Sequence, residues 1–399
     1  MFDFRQARPI VLAGAVRTPI GKFGGALLPL SAVDLGVAAA IAAIERAGIL
    51  PADIEETVFG HARQAGTGPN PARQVSMGAG IPETSPAYTV NQACASGLKS
   101  VILAAQTVAL GGANVVLAGG MESMSNTPYL LPQARFGYRL GNSEVVDGMF
   151  RDGFICPLCG DLMGQTAERL AEEYDIGREQ QDAYAIETQR RAQVAREAGR
   201  FDAEIVAVEV PQRKGDPLVV DRDEHPRDDL TMEQLARLPA VFKENGTVHA
   251  GNSSGVTDGG AALVVMSEEA AERLGVEPMA RVVAATQAGV DPAVMGIGPV
   301  PSMRDLMEGL DIGIADIDLI ELNEAFAVQV LAVDRELRLD RDVLNVNGGA
   351  IALGHPIGCT GARILVTLLH EMARRGAKRG VATLCVSGGM GTSLLVERE

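Results

Sequence analysis

The sequence predicts an α/β fold made of two copies of one unit, with a polar segment inserted into the first copy. Three observations carry this. Short β-branched runs alternate with Ala/Leu-rich helical stretches, the pattern of helices layered on mixed or parallel sheet. Three short strings recur in the same order at nearly constant separation: Ala52-Asp53-Ile54 as Ala315-Asp316-Ile317, Val90-Asn91 as Val346-Asn347, and Gly119-Gly120-Met121 as Gly388-Gly389-Met390. From about Ser125 to Ala250 the chain turns polar and charge-dense and matches neither copy.

Taken in order, Ile10–Ala13 reads as a buried strand and Ser31–Ala47 as a helix. Ser31 and Asp34 stand at the spacing of a capping box, in which each side chain satisfies the other residue's free backbone N–H. Val115–Ala118 is a second short buried strand. Within the insertion, Gln165–Gly199 reads as long helices rich in Glu, Arg and Gln, and Asp221–Asp229 as a charged loop. The insertion is expected to fold on top of the first copy, which resumes with the strand Ala261–Met266. The second copy starts near Met279, with a strand at Val282–Ala285. A helix at Ala362–Arg375 carries its basic residues in the last turn, where the helix dipole favours them. The expected division is therefore 1–124 with 251–276 as the first half, 125–250 as the insertion and 277–399 as the second half.

Composition bounds the function. Of 399 residues, 47% are hydrophobic and 22% charged, enough apolar material for a packed core. The 46 glycines show no period, which excludes collagen and points to tight turns. A net charge of −16 without any Lys/Arg run argues against nucleic-acid or membrane-surface binding. No apolar run approaches the roughly 18–20 residues of a membrane span. Met1–Arg5 lacks the pattern of a signal peptide, and a cytoplasmic protein is expected. Five cysteines, an odd number, argue against a disulfide framework. Cys156-Pro157-Leu158-Cys159 has CxxC spacing but no second pair to complete a zinc site, which leaves structural, redox and metal readings open. HExxH, P-loop and GxGxxG motifs are absent, so neither a metal nor a bound cofactor is expected.

Four segments can carry chemistry. Cys94 sits between a strand-like run and an Ala/Leu-rich helix, among small neighbours. A helix N-terminus there would lower its thiol pKa and favour a nucleophilic thiolate. A buried structural cysteine would have the same local sequence. His355, one of five histidines, lies between Gly354 and Pro356, where a constrained backbone could hold an imidazole as base and donor, or simply a satisfied structural histidine. Cys385 ends a strand that runs into the turn Ser387-Gly388-Gly389, whose N–H groups could form an oxyanion hole. Asn323 follows the strand Asp318–Leu322, where its amide could hold a water or a carbonyl oxygen.

Together the segments Asn91–Gly97, Asn323–Phe326, Gly354–Gly358 and Cys385–Gly391 resemble the thiolase family of coenzyme A-dependent acyltransferases. The resemblance spans the whole chain and implies the duplicated, five-layered αβαβα thiolase fold with an inserted loop domain. It implies Cys94 as the acylated nucleophile, His355 as its activator and Cys385 as the acid/base acting on the second acyl-CoA. Asn323 would hold a water that completes one oxyanion hole with His355, and the backbone N–H groups of Cys94 and Ser387 would form the other. The family often has Gly where this chain has Ser387. Arg227 would contact the nucleotide end of the coenzyme, Ala250 and Ser254 the pantetheine arm, and Met163, Met295 and Phe326 the acyl group. Leu162 departs from the biosynthetic subgroup, which tends to have His there. The implied activity is a ping-pong Claisen condensation and its reverse on coenzyme A thioesters, with acetyl-CoA C-acetyltransferase first. A 3-ketoacyl-CoA thiolase of fatty-acid β-oxidation is the alternative. A homodimer or homotetramer is implied. A ketoacyl-synthase-type enzyme would pair its cysteine with two His or with His and Asn, and a carrier with a dead site would lack the set. Cys385 and the intact trio argue against both.

Overall fold

The computed structural model describes residues 1–398. Among them, one eleven-stranded sheet runs through the molecule, and its order exposes the duplication. From one edge the strands are Ala87–Val90, Glu56–Gly60, Val115–Ser123, Thr257–Ser267 and Ile10–Arg17. Then follow Ala280–Gly289, Met390–Glu397, Arg379–Val386 and Leu319–Leu322, and the two-residue strands Phe2–Asp3 and Gly21–Lys22 attach to Ala280–Gly289 and Thr257–Ser267. The second set repeats the first in mirror order about the junction, where Ala280 and Arg281 pair with Leu12 and Val11. Leu344 bridges Ile320 in parallel at the place that Ala87–Val90 occupies in the first half.

Side-chain alternation along each strand sorts the core into layers. Leu12 faces a central core with the helices Ser96–Ala109 and Ile357–Arg375. Its neighbours Val11 and Ala13 face outward onto the helix Ala32–Ala47. Ala382 and Leu384 point to the central helices, and Val381 packs instead with the outer helices Pro299–Leu310 and Ala327–Leu337. The result is helix, sheet, helix, sheet, helix. The capping box at the start of the first helix is formed, with Ser31 N donating to Asp34 Oδ2 over 2.8 Å.

Three expectations change. The Gly119–Met121 recurrence is not a structural equivalence: it lies inside a strand, whereas Gly388-Gly389 form a turn after one. Ala52–Ile54 and Ala315–Ile317 do correspond, each spanning a single helical turn before a parallel strand. The second difference is the start of the last long helix, at Ile357 rather than Ala362. Its glycines allow close approach instead of breaking it: a Cβ on Gly361 would sit 2.3 Å from Leu98 N, and one on Gly120 would sit 2.2 Å from Gly358 O. Thirdly, the insertion does not rest on the first copy alone. Its helices Met163–Glu173 and Arg178–Glu197 pack with second-half residues, and Tyr184 Oη donates to Glu324 over 2.7 Å. Its later part returns to the first half through the buried pairs of Arg17 with Glu204 (2.6 Å) and Asp223 (2.7 Å). Among the described residues, no helix is long and apolar enough to cross a membrane.

Candidate active site

Cys94 lies in a single turn, Ala93–Ala95, that joins the strand Ala87–Val90 to the helix Ser96–Ala109. Side chains hold the bend. Asn91 Oδ1 accepts from Ala93 N (3.0 Å), and Ser96 Oγ accepts from Gln92 N (2.9 Å) while donating to Ala93 O (2.7 Å). Ala93 takes a left-handed φ of 45°, the strain of the sharp reversal that turns Cys94 toward a cavity. The expected low thiol pKa is not what the surroundings produce. Burial pushes the Cys94 thiol up, and the Ser387 N–H and the Arg63 charge pull it only partly back. Desolvation penalises a buried thiolate more than the helix start favours it.

His355 packs where Pro356 caps the helix Ile357–Arg375, and its ring is buried. Nδ1 lies 2.6 Å from Thr360 Oγ1, which lies 2.9 Å from Pro356 O. The threonine can accept from Nδ1–H while donating to the carbonyl, or turn its own proton onto a bare Nδ1. The first arrangement leaves Nε2 a proton acceptor, and the second makes Nε2–H a donor. Burial and the Arg363 and Arg63 charges lower the imidazole pKa to about 3, so His355 is neutral at pH 7. Nε2 faces Asn323 Nδ2 at 3.5 Å. Asn323 Oδ1 is buried with no partner among the described residues, which leaves it free to hold a water.

Cys385 ends the strand Arg379–Val386, fully buried beside Met295 and Phe326. Burial and the neighbouring Cys94 push its thiol far up. In the turn that follows, the left-handed φ values fall on Gly388 (89°) and Gly389 (84°). Ser387 itself needs no such conformation, so a residue with a side chain fits there. Its N–H reaches the Cys94 sulfur.

A cavity of about 300 Å³ gathers Cys94, His355, Ser387, Ser254, Met163, Met295, Phe326 and also Leu162. Asn323 and Cys385 lie behind this wall rather than on it. Arg227 and Ala250 are exposed and do not line it. Cys156 is buried and held by backbone N–H groups that include that of Gly388, on the far side of the same turn.

Sequence reasoning missed the groups that hold the site. Glu122 receives His61 Nε2 (3.1 Å), Ala62 N (3.2 Å), Arg63 N (3.1 Å) and Gly358 N (2.9 Å), tying the histidine loop to the end of the strand Glu56–Gly60. Glu324 receives Tyr184 Oη, Thr188 Oγ1 (3.0 Å) and Asn345 Nδ2 (3.0 Å), fixing the turn that carries Asn323. Arg63 was missed as well, although it follows directly on the C-terminal end of a parallel strand, where α/β proteins place ligands.

Two family models match the chain: the thiolase N-terminal domain over residues 10–269 and the thiolase C-terminal domain over 276–398. An acetyl-CoA acetyltransferase of Thiocystis violacea is 52% identical over 389 residues, 98% of this chain and 99% of the relative. One from Cupriavidus necator is 49% identical over 390 residues, with the same shares. Among solved structures, the Bacillus anthracis acetyl-CoA acetyltransferase superposes with a TM-score of 0.96 at 46% identity, covering 98% of this chain and 99% of that one. Human mitochondrial 3-ketoacyl-CoA thiolase in complex with CoA gives 0.94 at 40% identity, with 98% of both chains covered.

Proposed function

The chain belongs to the thiolase family, and we propose that it is an acetyl-CoA C-acetyltransferase working through an acyl group on Cys94. The observation that carries this reading is the wall on which Cys94, the neutral imidazole of His355 and the Ser387 N–H meet over one apolar cavity.

Each step follows from a named atom. His355 Nε2, bare while Nδ1–H donates to Thr360, takes the Cys94 proton as the sulfur attacks the thioester carbonyl. The oxyanion forms against the N–H groups of Cys94 and Ser387. Collapse expels coenzyme A, which takes the proton back from His355, and the acetyl group stays on Cys94. A second acetyl-CoA then loses an α-proton to Cys385. The enolate oxygen is met by His355 Nε2–H, now in the tautomer that Thr360 supports from Nδ1, and by a water on Asn323. The carbanion attacks acetyl-Cys94, and the thiolate that leaves is reprotonated through Cys385. Acylation also eases the second step. An acetylated Cys94 cannot be an anion, so its like-charge opposition to a Cys385 thiolate disappears when that thiolate is needed.

Arg227 is exposed and makes no ion pair among the described residues, which suits a contact to the nucleotide end of the coenzyme. Ser254 on the cavity wall and the exposed Ala250 suit the pantetheine arm. The proposal includes a cytoplasmic dimer or dimer of dimers without a bound cofactor. The test is thiolysis of a 3-oxoacyl-CoA series of increasing length. Acetoacetyl-CoA is expected to give the highest kcat/KM. A maximum at six carbons or more would move the assignment to a longer-chain 3-ketoacyl-CoA thiolase.

The pH profile follows from the same groups. An imidazole lowered to about 3 stays neutral as pH falls through the ordinary histidine range. Between pH 5 and 8, kcat/KM is therefore expected to show no acid limb from His355. Alkylation of Cys94 by iodoacetamide should keep rising past the ordinary thiol pKa, because burial has raised that of Cys94. An acid limb near 6.5 would show instead an imidazole that titrates in the ordinary range, and alkylation that is flat across this range a thiolate–imidazolium pair.

A further inference from the structure

Among the described residues, Arg63 carries the only formal charge on the wall of the cavity that holds Cys94. The residue is only 7% exposed, yet its guanidinium donates no hydrogen bond and no carboxylate stands within ion-pair distance of it. Its Nε is buried with no partner at all. Arg17, by contrast, meets both Glu204 and Asp223, whereas Arg363 is also buried without a hydrogen bond on its guanidinium and has only Glu321 near it, at 3.7 Å. Glu122 feels the Arg63 charge, but its oxygens are occupied by His61 and by the backbone N–H groups of Ala62, Arg63 and Gly358. A buried cation without an anion is expensive, and completing it from outside recovers that energy.

The surroundings form a cradle. Gly153 packs against the guanidinium, and a Cβ there would lie 1.9 Å from a terminal nitrogen. Arg63 also borders a polar recess with Asn91, Gln64 and Thr127, whose Oγ1 is buried without a partner. The opposing group there is Asp152, exposed at the rim and beyond ion-pair distance. The rest of the Cys94 cavity is apolar, with Phe150, Phe154, Met163, Phe242 and Met295 on its walls.

We propose that Arg63 is an anion subsite of the acyl cavity and that, besides acetoacetyl-CoA, the protein takes 3-oxoacyl-CoA thioesters whose acyl chain ends in a carboxylate. This rests on the acyl transfer through Cys94 proposed above and adds a second substrate class to it. In thiolysis the Cys94 thiol passes its proton by way of His355 to the Cys385 thiolate as its sulfur bonds to the C3 carbonyl carbon, and the C2–C3 bond breaks. C2 takes a proton from Cys385 and leaves as acetyl-CoA. Free coenzyme A then takes the ω-carboxyacyl group, and its thiol proton ends on Cys94. Throughout, the chain's carboxylate stays paired with Arg63. A nucleotide phosphate is a poorer occupant, because Arg63 is buried beside the nucleophile and not at the surface.

The experiment measures kcat/KM for thiolysis of 3-oxoadipyl-CoA against 3-oxohexanoyl-CoA, and of 3-oxopimelyl-CoA against 3-oxoheptanoyl-CoA. Each pair has equal length and differs by the terminal charge. The wild-type protein is expected to favour the carboxylated member of at least one pair by about tenfold or more, the scale of a charge-assisted hydrogen bond. Arg63→Leu should lower that ratio at least tenfold, and Arg63→Lys should restore part of it. The ratio is taken within one preparation, so a loss of folded protein cancels. If Arg63→Leu fails to fold, Arg63→Gln and the wild-type ratio decide. A wild-type ratio at or below one in both pairs, as pairing of Arg63 with Asp152 would give, overturns the proposal, and so does a ratio that the variants leave unchanged. Failure of the wild-type protein to cleave acetoacetyl-CoA would instead overturn the acyl-transfer reading.

Discussion

Cys94→Ala is expected to lose thiolysis and condensation by on the order of 10⁵–10⁶, the scale felt when a covalent nucleophile is deleted. No other group can replace it in the geometry described. The Ser387 N–H is aimed at this sulfur, and a water in its place would hydrolyse a thioester rather than store its acyl group. The fold should survive, since alanine keeps the Cβ and the bend at Ala93 is held by Asn91 and Ser96 rather than by the thiol. Intact mass after mixing with acetyl-CoA checks the claim. The wild-type protein should gain one acetyl group, and the variant none. A variant that melts normally and still gains acetyl on Cys385 would show that the two cysteines have exchanged roles.

The sequence announced these cysteines because the chemistry sits in short contiguous runs. Strand, sharp turn and helix start follow one another within a few residues, so small side chains around Cys94 and Gly-Pro neighbours around His355 are local signals. What holds the runs together is not local. Tyr184 and Thr188 reach Glu324 across 140 and 136 residues, and Gly358 reaches Glu122 across 236. No periodicity reveals such partners. The same limit explains the false recurrence. Gly119 and Gly120 are small because backbone from Ala261 and Gly358 presses on them, whereas Gly388 and Gly389 adopt left-handed φ. One letter served two physical needs. The thiol pKa of Cys94 was misjudged for a related reason: the helix start is visible in sequence, but the depth of burial that outweighs it is a property of the assembled cavity. Arg63 escaped notice because a lone arginine looks like solvated surface until the apolar walls around it are in place.

Cys385→Ser is expected to separate the two half-reactions. The hydroxyl fits the space of the thiol, and the substitution leaves Cys94, His355 and the Ser387 N–H in place, so acetylation by acetyl-CoA should proceed within about tenfold of the wild-type rate. The next step should fail. A serine hydroxyl is a far weaker base than a thiolate, and condensation should fall by about 10²–10⁴, the usual worth of a positioned general base. The wild-type thiol itself starts far above its ordinary pKa, through burial and through the neighbouring Cys94. Acylation removes the second cause, and replacing sulfur by oxygen forfeits the gain. The variant should therefore accumulate acetyl on Cys94, seen as a burst of released coenzyme A followed by a stalled turnover. Exchange of label between acetyl-CoA and free coenzyme A should continue, because it uses only Cys94 and His355. Solvent-deuterium incorporation at the acetyl-CoA methyl should cease, because it uses Cys385. If methyl exchange persists at the wild-type rate while condensation is lost, another group removes the proton and Cys385 acts only in positioning the second thioester.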